Sequence, residues 1–441
     1  MALPLTDPPS TRPTRRRFLV MAAAGLASSY SGRQAFGEVT GPAMPKLAAY
    51  DELMNDFMRA HKPPGAALAV AYHGRLVYAR GFGFADLEKH EPVRPASLFR
   101  LASVSKPFAA ATVLQLIQHG KLRLDERVLP LLKFEPHLEG HARLDPRWHT
   151  ITVRHCLQHT GGWDRDKSFD PMSAQTAEAV AKALRVPLPV NPRQIIRYMM
   201  GKPLDFEPGT AYAYSNFGYC VLGRVVEAVA GKPYHEVVQQ RILAPLSIRD
   251  MRLGKNLLKD RAVGEVKYYD SRNRAGRATS GPKIGAEVPL PYGVECIESM
   301  DANGGWIASA VELMRFAVAL DDPRRCPILN EQSIETMLAP PPGSVGHGPK
   351  GRPKPVYYAC GWDVRPAGKG DKFTKWHTGL LAGSSTLLVC RDDGIDWAVL
   401  FNRDAGKDGK DYAGLIDPLL HKPANQIKDW PEIDLFPRFN G

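Results

Sequence analysis

The sequence predicts a mixed α/β fold of the α+β type: one antiparallel β-sheet flanked by helices, with an all-α region inserted into it. Three observations carry that reading. Strand-like apolar runs stand near both ends of the chain, segments of helical length cut by Pro and Gly turns fill the middle, and no internal repeat divides the sequence. Strands that open a chain and return only near its end are joined most simply in one sheet, with the helices between them as an insertion. A chain of 441 residues, 44% hydrophobic and 24% charged, lies within the range of ordinary globular proteins and can bury a sizeable core.

The elements follow in order. Residues 46–61 have helical spacing and are stopped by Pro63-Pro64-Gly65. Residues 66–72 and 76–81, on either side of His73-Gly74, are apolar and partly alternating, which predicts a β-hairpin. From Ser103 to about Leu253 the pattern is helical, with helices expected over 109–119, 152–158, 192–200, 217–230 and 235–243. Residues 254–300 are rich in Gly, Pro and charge, and are expected to run as extended surface segments. A helix is expected over 309–320, after Gly304-Gly305, and strand signals resume at 357–364, 374–381, 385–391 and 397–402. The tail beyond Pro418, with its prolines and aromatics, is expected to lie over the surface. The sheet portion is thus placed at about 46–100 and 300–420 and the helical portion at about 103–255, both within one unit of residues 38–441.

The formal charge of +12 overstates the basicity of that unit. Residues 1–37 hold five arginines against one acidic residue, Asp7, and so carry four of the twelve excess charges. Elsewhere Lys and Arg are scattered with no five-residue basic run, a pattern that argues against nucleic acid as a partner and for a solvated surface. The N-terminal order of Thr14-Arg15-Arg16-Arg17-Phe18-Leu19-Val20, a short apolar stretch to Leu26, and small residues up to Ala35-Phe36-Gly37 resembles a twin-arginine export signal cleaved near Gly37. Its apolar segment is far shorter than the roughly twenty residues of a membrane-spanning helix, and no later stretch qualifies. An exported protein, periplasmic or extracellular, is therefore expected. Cys156, Cys220, Cys296, Cys326, Cys360 and Cys390 lie at least thirty residues apart, so no Cys-x-x-Cys pair exists, and their even number permits disulfides without establishing any.

The chemistry centres on Ser103-Val104-Ser105-Lys106. On a helix, residues three apart share a face, so the Ser103 hydroxyl and the Lys106 amine can meet. Pro107 is best tolerated in a first turn, which places the helix start within a residue or two of Ser103. A serine hydroxyl needs an adjacent base, and a lysine serves only where burial or a nearby cation lowers its pKa. Phe99, Leu101, Phe108, Ala109 and Ala110 supply apolar surroundings for that. A helix cap followed by a surface lysine would produce the same four residues, and Ser280-Gly281-Pro282-Lys283 repeats the spacing with an interior that excludes a helix. Tyr214-Ser215-Asn216 stands in a turn before a helix; a phenol can relay a proton, and an amide can hold Lys106 or a substrate carbonyl, although Asn216 would equally serve as the helix N-cap. His377-Thr378-Gly379 lies in a predicted strand, where Gly379 permits close approach of a ligand and the Leu380 amide can pair with that of Ser103 as an oxyanion hole. His159-Thr160-Gly161 follows a helix and runs into Gly162-Trp163, and so reads as a structural turn.

Together these elements resemble the serine β-lactamase and penicillin-binding-protein superfamily, whose motifs are Ser-x-x-Lys, Tyr-x-Asn or Ser-x-Asn, and Lys-Thr-Gly. The likeness is to its class C branch, which includes carboxylesterases, D-aminopeptidases and DD-peptidases, and covers roughly residues 47 to 403. The resemblance implies a sheet domain and an all-α domain with a cleft between them, and a serine hydrolase acting through an acyl-enzyme on a small ester, amide or peptide, with no cofactor. It implies Ser103 as nucleophile, Lys106 and Tyr214 as the proton-handling pair, and Asn216 with His377, Thr378, Gly379 and Leu380 as substrate contacts. One position departs from the pattern. His377 stands where β-lactamases carry Lys, which weakens the fixed cation for a β-lactam carboxylate and favours a carboxylesterase or peptidase. A non-catalytic peptide- or peptidoglycan-binding module on the same scaffold is the alternative from another class. No Gly-x-Ser-x-Gly elbow, Walker loop or dinucleotide fingerprint is present. His137, His141, His149, His155 and His159 are read as scattered histidines, since Pro136 and Gly140 break any helical register for a metal site.

Overall fold

The computed structural model describes residues 37–367 and 372–439; the expected signal segment lies, but for Gly37, outside the described residues. Eight strands form the main sheet: β1 (Gly65–Tyr72), β2 (Arg75–Asp86), β3 (Glu91–Pro92), β4 (Tyr357–Tyr358), β5 (Asp363–Pro366), β6 (Phe373–Leu381), β7 (Ser384–Cys390) and β8 (Ile395–Phe401). Their spatial order is β3-β2-β1-β8-β7-β6-β5-β4, and every pairing is antiparallel. An early and a late strand meet at its centre, where β1 and β8 pair from Ala66 with Phe401 to Tyr72 with Ile395.

Period-two alternation sorts the central strands into two cores. Ala66, Leu68, Val70, Leu387, Val389, Trp397 and Val399 pack on one face under the Ala48–His61 and Tyr412–Gln426 helices. Ala67, Ala69, Ala71, Leu388, Cys390, Ala398 and Leu400 pack on the other, against the Ala310–Ala319 helix and the helical region beyond it. Helices cover both faces, so the middle strands are apolar nearly throughout.

The helical region is entered and left through a small three-stranded sheet in which Trp306–Ala308 pairs with both Phe99–Arg100 and Arg252–Leu253. Local signals set its helices. Ser173, Asn191 and Ser215 cap the Ala174–Leu184, Pro192–Met199 and Asn216–Ala230 helices through side-chain oxygens, and Thr152 with His155 closes a capping box on Val153–Leu157. Ser215, rather than Asn216, is therefore the N-cap, which leaves the Asn216 side chain free for other work.

Three expectations are corrected. Residues 357–364 are not one strand, because Gly361, at φ +84°, turns the chain between β4 and β5. The tail does not drape over the surface: Tyr412–Gln426 is a helix capped by Asp411 that runs through Pro418 and Pro423. Tyr412, Ala413, Ile416, Leu420 and Ala424 form a helically spaced buried stripe, and their burial outweighs the prolines. Residues 254–300 carry only the short Ala275–Arg277 and Glu287–Pro289 hairpin and the Leu258–Asp260 and Ile297–Met300 3-10 turns, yet part of the segment is interior. There the buried Arg100 guanidinium donates to the carbonyls of Pro291 (2.6 Å) and Lys255 (2.8 Å). The Val128–Leu132, Ala174–Leu184 and Glu331–Leu338 helices had no counterpart in the sequence reading.

Candidate active site

Ser103 occupies a 3-10 turn, Ala102–Val104, that runs directly into the Ser105–Gln118 helix. The turn is held from several sides. The Leu101 amide donates to the Trp306 carbonyl (2.8 Å), the Leu101 carbonyl accepts from Thr386 Oγ1 (2.8 Å), and Ser384 Oγ donates to the Arg100 carbonyl (2.7 Å). Ala102, immediately before Ser103, has φ +49°, a left-handed conformation that a residue with a Cβ keeps only where its surroundings fix it.

One turn along, Lys106 is completely buried. Its Nζ lies 3.0 Å from Ser103 Oγ, 2.9 Å from Asn216 Oδ1 and 2.8 Å from the Asn303 carbonyl oxygen. The last two are pure acceptors. An uncharged amine gives its two N–H groups to them and points its lone pair at the serine hydroxyl. Burial pushes the lysine pKa well down, the Asp170 carboxylate opposes that shift and the Arg165 guanidinium adds to it. Asn216 is oriented in turn, because its Nδ2 donates to Asp170 Oδ2 (2.9 Å), which fixes the amide with its oxygen toward the amine.

Tyr214 closes the other side, with Lys106 Nζ 4.8 Å from its ring centroid. Burial raises its phenol pKa, and a hydrogen bond with Ser103 opposes the rise, so the hydroxyl is protonated at neutral pH and able to donate. His159 packs behind it, ring centroids 4.3 Å apart, while His159 Nδ1 accepts from the Ser215 amide. The His159-Thr160-Gly161 segment is the turn expected, and its imidazole also buttresses the site tyrosine.

β6 passes the Ser103 turn edge-on. A Cβ on Gly379 would fall 2.2 Å from the Leu101 carbonyl oxygen and 3.1 Å from Ala102 Cβ, so the approach exists only because residue 379 has none. Leu380, the next residue, is 56% exposed and Thr378 is exposed, which leaves this stretch open on the solvent side. His377 is buried. Its Nδ1 is 2.6 Å from the Thr378 carbonyl and must be the protonated nitrogen, so Nε2 accepts from the Tyr358 hydroxyl at 3.0 Å. Burial, with the neighbouring Lys106 as a lesser cause, drives the His377 pKa down to about 3, and the imidazole is neutral. Both ring nitrogens are committed within the protein.

The structure thus brings Ser103, Lys106, Tyr214, Asn216 and the His377–Leu380 strand into one locality. Sequence reading had not marked four supporting groups: Asp170, the Asn303 carbonyl, Tyr358 and Thr386. The Asn303 contact is made by backbone, which no residue type announces. Among the described residues no cluster of His, Cys, Asp or Glu suited to a metal occurs, and all six cysteines are unpaired.

The sequence matches the family described as Beta-lactamase over residues 50–420. Among curated proteins it is 33% identical over 253 residues to Esterase EstB of Burkholderia gladioli, a stretch covering 56% of this chain and 59% of that protein. The match spans about three fifths of the length of the curated relatives. The fold resembles that of the D-amino acid amidase from Ochrobactrum anthropi SV3 (TM-score 0.63, 21% identity, 86% of this chain and 98% of that one). It also resembles the octameric penicillin-binding protein homologue from Pyrococcus abyssi (TM-score 0.62, 24% identity, 86% and 77%).

Proposed function

Since the chain belongs to the Beta-lactamase family, its match running from residue 50 to 420, we propose that it is a serine hydrolase cleaving ester or amide bonds through an acyl-enzyme on Ser103. The observation that carries the proposal is the lysine amine 3.0 Å from the serine oxygen, with two acceptors occupying its remaining hydrogens. In this reading Lys106 takes the hydroxyl proton as Ser103 Oγ attacks the substrate carbonyl. The amides of Ser103 and Leu380 face the developing oxyanion, and Tyr214 passes a proton to the leaving group. Water then attacks the acyl-enzyme and releases the acid, with the same groups handling the proton in reverse.

Esters and small amides fit this site better than β-lactams. The third-motif position carries a neutral imidazole without a free N–H, so it offers no cation to a β-lactam carboxylate. The relative with 33% identity is named an esterase, which supports the same choice. Export through a twin-arginine pathway, with the mature chain in the periplasm or outside the cell, belongs to this proposal and rests on residues 14–37.

The test is labelling with a serine-directed fluorophosphonate, followed by parallel turnover of a short-chain aryl ester, a chromogenic cephalosporin and a D-alanyl peptide. The expected result is one adduct on Ser103 and ester turnover well above cephalosporin turnover, with Ser103→Ala abolishing the adduct and lowering turnover at least about a thousandfold. A protein that takes no Ser103-dependent adduct is a binding module instead.

A further inference from the structure

Asp363, on β5, is a carboxylate that the proposed chemistry does not use. It is half-buried, yet its carboxylate makes no hydrogen bond or ion pair to any described residue. A carboxylate withdrawn from water to that extent ordinarily has a partner. Arg165 is engaged elsewhere, over the Tyr214 ring at 4.9 Å and 3.9 Å from Asp170.

Its position puts it on the cleft wall. The Gly361 turn joining β4 to β5 lies against the nucleophile helix, where a Cβ would come within 3.1 Å of the Lys106 carbonyl oxygen. Across the strand pair Asp363 faces Tyr358, the residue whose hydroxyl holds His377. Its charge, after burial itself, is among the influences that keep the Tyr212, Tyr214 and Tyr358 hydroxyls protonated. Tyr212 is 48% exposed, and its ring stands 6.1 Å from that of Tyr358 at an interplanar angle of 38°. A carboxylate without a protein partner near the exposed Tyr212 ring is the chemistry that holds an ammonium group.

We infer that Asp363, with Tyr212, is a specificity site that selects acyl groups carrying an ammonium, so that the preferred substrates are amino-acyl esters and amides rather than plain aliphatic ones. The inference rests on the hydrolase reading of Ser103. Burial lifts the Asp363 carboxyl to about 6, and a bound ammonium restores the ion at a place where water alone solvates it poorly.

The experiment compares kcat/KM for the p-nitroanilides of D- and L-alanine with that for propionyl p-nitroanilide, which has the same shape without the ammonium, in the full chain and in D363N and Tyr212→Ala. Expected is a preference of about tenfold or more for at least one alanyl substrate, carried mainly by KM, and a fall of that ratio toward one in both variants. Folding of the variants is followed by the rate of Ser103 labelling. Equal kcat/KM for alanyl and propionyl substrates in the unaltered protein overturns the inference, as does an equal loss on both in D363N, which would mark a structural role. Absence of any Ser103 adduct removes the hydrolase reading and this inference with it, whereas labelling and ester turnover without an ammonium preference remove this inference alone.

Discussion

Ser103 and Lys106 lie three residues apart, so helical geometry alone brings them together, and that pairing was legible from four letters of sequence. What tunes the pair was not. Asp170 reaches Asn216 from 46 residues away, and the Asn303 carbonyl meets Lys106 from 197 residues away. Both contacts exist only after tertiary folding, and one involves no side chain. The consequence of that tuning is measurable. Lys106→Met should lower kcat/KM by about 10²–10⁴-fold while the Ser103 turn stays in place. In the unaltered protein activity should rise with pH along a limb lying below the ordinary lysine value of 10.5, because the base must be deprotonated and burial makes that state easier to reach. A limb that stays at the ordinary value would mean that Lys106 is charged in the working enzyme.

Elements were legible where their signals were local. The β1–β2 hairpin, the Asn216–Ala230 helix and the closing strands all follow from alternation, caps and turn residues. The Tyr412–Gln426 helix was missed because two prolines spoke louder than a buried stripe spaced over four turns. The turn at Gly361 was missed for the opposite reason: apolar residues on both sides of it suggested a continuous strand. Between elements, the closest approach that matters is β6 against the Ser103 turn. Gly379→Ala should force the strand away from Leu101 by enough to relieve a 2.2 Å contact. A displacement of that kind at a reacting centre costs about a hundredfold in kcat/KM, read against a neutral aryl ester. Unchanged turnover in that variant would show that β6 takes no part in placing the substrate.

Across the whole molecule, one buried charge cluster ties the site strand to the sheet. Lys375, on β6 two residues before His377, lies with Nζ 3.7 Å from Asp321, and the fully buried Asp396 of β8 sits in the same group. Burial, strengthened by the Asp321 charge, raises the Asp396 pKa well above the usual carboxylate range, so this residue is protonated in the folded protein at pH values where the unfolded chain has ionised it. A raised carboxyl pKa favours the fold fully below about pH 4, and that contribution is lost as pH climbs from there toward the folded value. Asp396→Asn removes the ionisation at nearly constant shape. Its melting temperature should match that of the unaltered protein near pH 4 and exceed it increasingly toward pH 8, by on the order of 2 °C per kcal/mol of difference. An advantage that does not grow with pH would place the proton elsewhere in the cluster.

The meeting of β1 and β8 at the centre of the sheet also fixes the order in which the molecule can be made. A ribosome delivers Gly65–Tyr72 long before Ile395–Phe401. Until then the first hairpin waits with an open edge, and long-range pairings of this kind close slowly. Thr386 and Gly379, which shape the turn bearing Ser103, arrive in the same late stretch. A nascent chain therefore carries its serine and lysine long before it carries the walls that set them against each other, and a half-synthesised copy is chemically silent.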